Sequence, residues 1–314
     1  MIVPGDALAT PSGDAGVRIV VTGSSGLIGT AVVRSLRARG DDVQRLVRRA
    51  PAAPDETFWD PAANALDAAK LAGTDAIVHL AGVNVATHRW NARRKTLIRD
   101  SRVCSTRLLS ETIAALAPPP PTLICASGVS YYGHDNDRWF TESDPPGTGF
   151  LADVCRQWEA AAEPARAAGI RVVHLRIGVV LSTAGGALPR MLKPVRLGLG
   201  GPIGSGRQFM SWITLDDLVR VVAFVLDHHE LRGPVNAVAP QPVTNREFMR
   251  ALGRVLHRPV WLPLPAFAVR MALGEMGREL LLGSLRVRPA RLLDAAFDFA
   301  CPAIEPALRQ LLGP

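Results

Sequence analysis

Short apolar runs alternate with amphipathic stretches in the first half of the chain, and this alternation predicts a sheet covered by helices. A β-branched run at residues 17–21 ends at Thr22-Gly23, and a helix pattern follows over 31–39. Later apolar runs are typical of buried parallel strands, and they cover residues 43–47, 75–80, 123–126 and 171–177. A shorter strand candidate lies at 57–59. Helix patterns over 91–116 and 150–168 separate the last three runs. We therefore predict an α/β fold: a Rossmann doubly wound parallel sheet with helices on both faces.

The pattern changes beyond Val180. A glycine-rich segment follows, and the last part of the chain is mainly helical in pattern and punctuated by prolines. Residues 134–149 have no clear periodicity and are predicted to form a loop. The predicted divisions are a flexible tail over 1–16, a Rossmann domain over 17–239 of which 182–213 contribute to a substrate lobe, and a small, mainly helical C-terminal domain over 240–314.

The first strand candidate runs into VTGSSGLIG, with glycines at 23, 26 and 29. Gly23 permits a tight turn, Gly26 lets the backbone approach a pyrophosphate, and Gly29 lets the helix pack close to the sheet. The free N–H groups and the positive end of the helix then favour phosphates. Because a strand precedes this turn and a helix follows it, the motif predicts dinucleotide binding rather than an ordinary strand–helix turn.

The end of the second strand indicates which dinucleotide binds. NAD sites place an acidic residue there to accept hydrogen bonds from the ribose hydroxyls. This chain has Arg48 and Arg49 instead. A guanidinium binds a 2′-phosphate bidentately, so NADP(H) is the predicted cofactor. The alternative is a pair of exposed arginines with no ligand.

Charge and cysteine content narrow the class of protein. The net charge of +8 leaves nucleic acid or an acidic membrane surface open as partners. The basic residues are spread along the chain, however, with one dense cluster at 93–102, so a helix face and an anionic small ligand explain them. We predict a small-molecule substrate and neither a nucleic-acid nor a membrane partner. The four cysteines form no C-x-x-C pair, which predicts no metal site and a reducing, cytoplasmic location.

Residues at the carboxyl ends of the parallel strands are the candidates for contact with ligand, because open α/β sheets bind ligands at that edge. Leu80-Ala81-Gly82 ends one buried strand, and Ser127, Ser130 and Tyr132 follow the next. Arg102 lies on the helix between them and reaches either the cofactor or solvent.

These residues carry a resemblance. TGSSGLIG (22–29), LAG (80–82) and SGVSYYG (127–133) resemble the extended short-chain dehydrogenase/reductases, which include nucleotide-sugar epimerases. Stretches similar to an atypical, epimerase-like branch of unknown substrate are 89–102, 150–162, 198–213, 236–248 and 274–299, the last matching its small C-terminal domain. The resemblance implies an NADP-binding Rossmann domain and a homodimer formed through the long helices at 91–116 and 150–168.

The candidate cofactor residues lie at the glycine turn or at strand ends, and they are Gly23, Ser24, Ser25, Gly26, Leu27, Ile28, Gly29, Val47, Arg48, Arg49, Leu80, Ala81, Gly82, Arg102, Ser127 and Val180. Arg207 and Trp212, in or beside the glycine-rich segment, are the candidate substrate residues. Glycine N–H groups and Arg207 suit an anionic ligand, although a plain loop between lobes explains the same sequence.

The chain departs from its superfamily at the catalytic pair. Ordinary members use Tyr-x-x-x-Lys, in which the lysine lowers the pKa of the tyrosine. Here Leu151 and Cys155 occupy those positions, and Gly128 stands where a serine or threonine is common. Ser127, Ser130 and Tyr132 are the remaining catalytic candidates. For three other residues a structural role competes with a functional one: packing for Cys155, a core position for His79, and capping instead of substrate contact for Glu142. His88 follows the Ala81-Gly82 turn and is a candidate to face the crevice.

Two main functional hypotheses follow. The first is an NADP(H)-dependent oxidoreductase or epimerase acting on a small polar substrate, with a nucleotide-sugar as one candidate. The second is a catalytically silent NADPH-binding sensor or regulatory protein with a link to cell division. A nucleic-acid-binding module rests on the basic charge alone and is the weakest hypothesis.

Overall fold

The structure is a computed structural model that describes residues 16–313, so the predicted tail lies outside the described residues except for Gly16. The strands of this range, in chain order, are β1 (Arg18–Thr22), β2 (Asp42–Val47), β3 (Glu56–Asp60), β4 (Ala65–Leu66), β5 (Ala76–His79), β6 (Thr122–Gly128), β7 (Asp135–Phe140), β8 (Arg171–Ile177), β9 (Val179–Leu181), β10 (Phe209–Met210), β11 (Trp212–Thr214), β12 (Gly233–Ala237), β13 (Val243–Thr244) and β14 (Ser284–Val287).

The helices of the same range are α1 (Leu27–Ala38), α2 (Ala92–Ala114), α3 (Phe150–Ala160), α4 (Glu163–Ala167), α5 (Leu188–Arg196), α6 (Leu215–Asp227), α7 (Asn245–Leu256), α8 (Ala266–Leu273), α9 (Glu275–Gly277), α10 (Ala290–Asp294) and α11 (Ile304–Leu312). Short 3₁₀ turns cover Ala68–Leu71 and Val129–Tyr132, and a π-helical turn covers Arg278–Leu282. None of the helices in this range is both long and apolar enough to cross a bilayer.

An eight-stranded sheet forms the centre, in the order β12-β8-β6-β5-β1-β2-β3-β4. All neighbouring strands are parallel except β3 and β4. The strand order runs outward in both directions from β1 and β5, and a crevice forms at the carboxyl edge of such a switch point. Helices α1 and α6 cover one face of the sheet, and α2 and α4 cover the other. An apolar cluster lies between each pair of helices and the sheet. The predicted doubly wound sheet is therefore confirmed.

Two predicted elements differ in the structure. The stretch predicted as one helix over 150–168 divides into α3 and α4, with Pro164 near the start of α4, where a missing N–H breaks no helical hydrogen bond. The predicted loop over 134–149 begins with β7, which pairs in parallel with β14. The sequence of β7 is polar and its partner lies far along the chain, so local periodicity carries no signal for it.

The C-terminal part is mainly helical, as predicted, and it also completes the central core. Leu292, Phe297 and Phe299 pack in the cluster formed by β1, β5, α1 and α6. Asp217, buried in α6, accepts hydrogen bonds from the backbone N–H groups of Ala300 and Cys301, both at 2.9 Å. The C-terminal segment is thus built into the Rossmann sheet rather than attached to its surface.

Candidate functional site

The glycine turn between β1 and α1 leaves no room for side chains. Gly23 has a φ of 67°, and a Cβ there would lie 2.7 Å from the carbonyl carbon and oxygen of Leu80. A Cβ on Gly29 would lie 2.2 Å from the carbonyl oxygen of Gly23. Glycine at these positions follows from the packing of the turn against the end of β5.

Gly26 differs from its neighbours because no other chain segment crowds it. Its φ of −79° suits any residue, it is exposed, and it stands at the N-cap of α1 without a side-chain hydrogen bond. The first turn of α1 holds no acidic residue. The N-terminus of this helix therefore presents N–H groups and a partial positive charge to the crevice, and these fit a pyrophosphate.

A second segment closes over the same helix end. A Cβ on Gly185 would lie 3.5 Å from a methyl carbon of Leu27, and one on Gly186 would lie 3.4 Å from the other. Val180, one of the candidate cofactor residues, lies half-buried in β9 just before this loop. The glycine-rich segment thus begins beside the glycine turn and the N-terminus of α1, which together we call the cradle. The sequence did not indicate this proximity.

The two arginines after β2 have different surroundings. Arg49 forms a two-pronged ion pair with the buried Glu56, with N–O distances of 2.6 and 2.8 Å. Arg48 is exposed, and none of the acidic side chains described in the structure pairs with it. Of the two predicted phosphate ligands, the geometry favours Arg48 and gives Arg49 a structural partner. Val47 lies half-buried at the end of the strand.

His79 lies behind the turn and belongs to the core. Its Nδ1 is 2.7 Å from Thr22 Oγ1, and its Nε2 is 2.9 Å from Thr106 Oγ1. Burial lowers the pKa of His79 to about 3. Thr22 Oγ1 also accepts hydrogen bonds from the N–H groups of Leu80 and Ala81, at 3.2 Å each. His79 is therefore a neutral group that holds the carboxyl ends of β1 and β5 together.

Arg102 lies against the other side of the crevice edge. Its guanidinium carbon would be 3.2 Å from a Cβ on Gly82, and it lies 5.0 Å from the centre of the Trp158 ring. It donates hydrogen bonds to the carbonyls of Ile98 and Val83, both at 3.0 Å. Burial lowers the pKa of Arg102, and no described carboxylate forms an ion pair with it. A half-buried cation at this edge fits an anionic or hydroxyl-rich ligand.

A chain of polar contacts runs inward from the end of β6. Ser127 Oγ donates to Glu159 Oε1 at 2.8 Å, and Glu159 forms a two-pronged ion pair with the buried Arg176 at 2.9 and 2.8 Å. Arg176 donates to the hydroxyl of Tyr132 at 2.9 Å, and that hydroxyl donates to Asn236 at 2.7 Å. Burial alone lowers the pKa of Arg176, but the hydrogen bonds and charge of Glu159 outweigh this and raise it.

The candidate catalytic residues fall at different points of this chain. Ser127 stands at the carboxyl edge of the sheet, with 5% exposure. Tyr132 stands at the inner end of the chain of contacts with 3% exposure, and burial raises the pKa of its hydroxyl to about 12. Ser130 is half-buried on the 3₁₀ turn between them. The geometry favours Ser127 and gives Tyr132 a structural hydrogen-bonding role.

The residues at the positions of the missing catalytic pair do not replace its acid–base chemistry. Leu151 and Cys155 are both buried in α3. Burial, with the charge of Glu159, raises the pKa of the Cys155 thiol to about 11, so the thiol stays protonated at neutral pH. A Cβ on Gly128 would lie 3.6 Å from this sulfur. Cys155 therefore packs against the strand end, in line with its structural interpretation.

The structure contradicts one substrate prediction. Trp212 is 0% exposed in the cluster around α7, and its indole N–H donates to the carbonyl of Gln241 at 3.0 Å. Its large apolar ring belongs to the core formed with α5, α7 and α11, which we call the second lobe, so it has no surface to offer a ligand. Arg207 is exposed on the loop before β10, where it remains available. His88 is also exposed, on the loop after β5.

Arg176 and Glu279 are positioning residues that escaped the sequence analysis, whereas Glu142 was a candidate for capping. Arg176 lies in the mostly apolar strand β8, and its buried guanidinium is paired with Glu159. Glu142 accepts hydrogen bonds from the N–H groups of Asn236 and Arg291, at 3.0 and 3.3 Å. Glu279 caps α3 by accepting from the N–H groups at its start, at 3.0 and 3.1 Å. No local pattern links Glu142 or Glu279 to partners so distant in sequence.

Comparison with known proteins decides the family. Residues 19–238 match the model of the NAD dependent epimerase/dehydratase family. The chain belongs to this family. Residues 264–311 match a second model, the domain of unknown function DUF1731. The epimerase-like fold with a small C-terminal domain, predicted from the sequence motifs, is thereby confirmed.

Members of the family are similar to this chain over nearly its full length. An epimerase family protein of Mycobacterium tuberculosis is 48% identical over 290 residues, covering 92% of this chain and 96% of its own. The human epimerase family protein SDR39U1 is 38% identical over 302 residues, covering 95% of this chain and 100% of its own.

Solved structures show the same relationship. The crystal structure of human SDR39U1 (isoform 2) with NADPH has a TM-score of 0.85 and 36% identity, covering 94% of this chain and 99% of that chain. The structure of MoeE5 in complex with UDP-glucose and NAD has a TM-score of 0.73 at 21% identity, covering 94% and 97% respectively. At that identity the second likeness shows the fold alone.

Proposed function

We propose that this family member binds NADP(H) in the crevice at the glycine turn and acts as an oxidoreductase or epimerase on a small polar substrate, for which a nucleotide-sugar is one candidate. The observation that carries the proposal is the cradle itself: Gly23 and Gly29 admit no side chain, while exposed Gly26 opens an uncapped helix N-terminus. Arg48, without an acidic partner among the described residues, suits the 2′-phosphate. The similar human protein crystallised with NADPH supports the same cofactor.

When bound, the nicotinamide supplies or accepts a hydride, and the chain must then move a proton at the substrate oxygen. Ser127 directs its own proton at Glu159, and in this proposal its oxygen accepts a proton from a substrate hydroxyl. In the oxidation direction the substrate proton passes to Ser127 Oγ, and the proton of Ser127 passes to Glu159. Arg176 holds the Glu159 carboxylate in place for this transfer.

A second candidate function is a catalytically silent NADPH sensor or regulatory protein. Leu151 and Cys155 favour it, because leucine carries no exchangeable proton and a buried thiol that stays protonated at neutral pH cannot act as a base. The two functions share the cradle and differ in whether Ser127 meets a substrate.

The experiment is to incubate the purified protein with NADPH or NADP⁺ and a panel of carbonyl compounds, alcohols and UDP-sugars, and to follow absorbance of the reduced nicotinamide and sugar products. We expect turnover with one substrate class, and a loss of roughly a hundredfold or more in Ser127→Ala. Ser143→Ala, on an exposed loop, is the control and should retain full activity. Persistent NADPH binding without turnover of any compound contradicts the enzyme proposal and favours the sensor.

A further inference from the structure

Seven large apolar side chains project from one region of the second lobe. They expose 43–74% of their surface, and they are Leu197, Leu199, Trp261, Leu262, Leu264, Phe267 and Met271. Monomeric proteins seldom expose a contiguous group of this size without a partner. Exposures this large mean that the side chains stand out from the surface instead of lining a groove.

Hydrogen bonds join two of the segments that carry these residues. The N–H of Leu262 donates to the carbonyl of Gly200 at 3.1 Å, and the N–H of Leu264 donates to that of Pro202 at 2.9 Å. Helix α8 begins directly afterwards, and Phe267 and Met271 share one of its faces at i, i+4 spacing. We call this surface, residues 197–199, 261–264 and 267–271, the apolar patch.

The stretches of chain that carry the apolar patch contain positive charges and no acidic residue. The sequence contains no Asp or Glu between Glu163 and Asp216, or between Glu247 and Glu275. Four cations flank the patch without an ion pair to any described carboxylate, and they are Lys193, Arg196, Arg258 and Arg270. Lys193 and Arg196 also line a cavity of about 480 Å³ beside Leu197. The nearby acid Glu275 is already paired with Lys95 at 2.9 Å.

We propose that the apolar patch docks the protein on an anionic lipid surface. Projecting Trp, Phe, Met and Leu side chains can enter the boundary between headgroups and acyl chains, while the surrounding cations meet lipid phosphates. A second copy of the chain is a poorer occupant, because two such patches would bring unpaired cations together. The sequence predicted no membrane partner because its cations are spread along the chain; the fold gathers segments more than sixty residues apart.

The test uses the full-length protein and flotation with neutral phosphatidylcholine vesicles or with vesicles that also contain phosphatidylglycerol. We expect binding to the anionic vesicles only, weakened by salt. The double variant Phe267→Ser/Met271→Ser should bind at least roughly tenfold more weakly. Phe58→Ser is the matched control, since Phe58 is a 45%-exposed aromatic on β3 near the far edge of the sheet.

Insertion of the apolar side chains into the bilayer can be measured separately. Brominated acyl chains should quench tryptophan fluorescence in the wild type, and Trp261→Phe should lose most of this quenching. All of these side chains are exposed, so unchanged thermal unfolding should confirm that the variants fold. Equal binding of the double variant and the wild type, binding to neutral vesicles, or no vesicle binding would each overturn the proposal. So would a dimer that the double variant dissociates, since the patch would then join two copies.

Discussion

Two arginines that are adjacent in sequence have different partners at the end of β2. Arg49 is committed to Glu56, while Arg48 is exposed and unpaired with any described acid. The sequence placed both in the phosphate site because a pattern of two arginines cannot show which one has a carboxylate partner. Trp212 is a similar case: its position after a glycine-rich stretch indicated a ligand, but its ring is fully buried.

At the same scale, His79 should make stability depend on pH. Its folded pKa of about 3 lies below the ordinary value of 6.5, so the unfolded chain binds a proton first as the pH falls. The free energy of unfolding should therefore decrease below about pH 6.5, by up to about 1.4 kcal/mol per pH unit from this group.

Urea unfolding at pH 7 and pH 5 measures this effect. His79→Asn, with no imidazole to protonate, is the comparison. We expect a smaller loss of stability between the two pH values in the variant than in the wild type. The same loss in both proteins would show that His79 does not carry the pH dependence.

At the scale of the element, a substitution in the glycine turn can change cofactor affinity without changing stability. Gly26→Ala introduces a methyl group at an ordinary φ and in an exposed position, 3.3 Å from the carbonyl oxygen of Gly23. We expect unfolding to be nearly unchanged and NADPH affinity to fall by at least about tenfold, because the methyl group blocks close approach of the pyrophosphate. Isothermal titration and thermal unfolding measure the two quantities.

The control for that variant is Gly40→Ala, at the end of α1. Gly40 has a φ of 92° and open space around its Cα, so its substitution strains the backbone without approaching the cradle. It should lower stability and leave the intrinsic NADPH affinity unchanged. The assignment of the turn fails if Gly26→Ala binds NADPH as tightly as the wild type.

The elements that the sequence predicted are those whose apolar pattern is local. Six strands of the central sheet (β1, β2, β3, β5, β6 and β8) and the helix at 92–114 agree with the prediction to within a few residues, whereas the two-residue strand β4 was not predicted. Strand β7 was not predicted either, because its pairing with β14 depends on residues about 150 positions away. The capping of α3 by Glu279 is hidden for the same reason.

At the scale of the whole molecule, the C-terminal segment and the Rossmann sheet share one core. Leu292, in α10, is fully buried in the cluster that contains Ile19 and Val21 of β1. Leu292→Ala should lower the free energy of unfolding of the entire chain by about 2–5 kcal/mol, since it opens a cavity in that shared core.

Far-UV circular dichroism and tryptophan fluorescence should report one coincident transition during urea unfolding of this variant. Leu197→Ala, at a position that is 67% exposed, is the matched control and should change stability by less than about 0.5 kcal/mol. Two separate transitions would contradict the shared core. Homodimer formation through the long helices stays a prediction.

The apolar patch also belongs to this scale. Its cations and apolar residues look scattered in the sequence, and the fold brings them together. The cradle could be predicted from VTGSSGLIG because strand, turn and helix are consecutive, whereas the path from Ser127 to Asn236 links four separate segments. The predictable part of the site is thus the part built from one stretch of chain.

The central claim is that the cradle is built for NADP(H), and titration of the protein with NADPH and with NADH tests it most directly. The wild type should bind NADPH about 10–100-fold more tightly, since a charge-assisted hydrogen bond contributes about 1.5–3 kcal/mol. Arg48→Ala should lose this preference while keeping its NADH affinity, and Arg49→Ala should retain more of it. Equal affinity of the wild type for the two cofactors would contradict the claim.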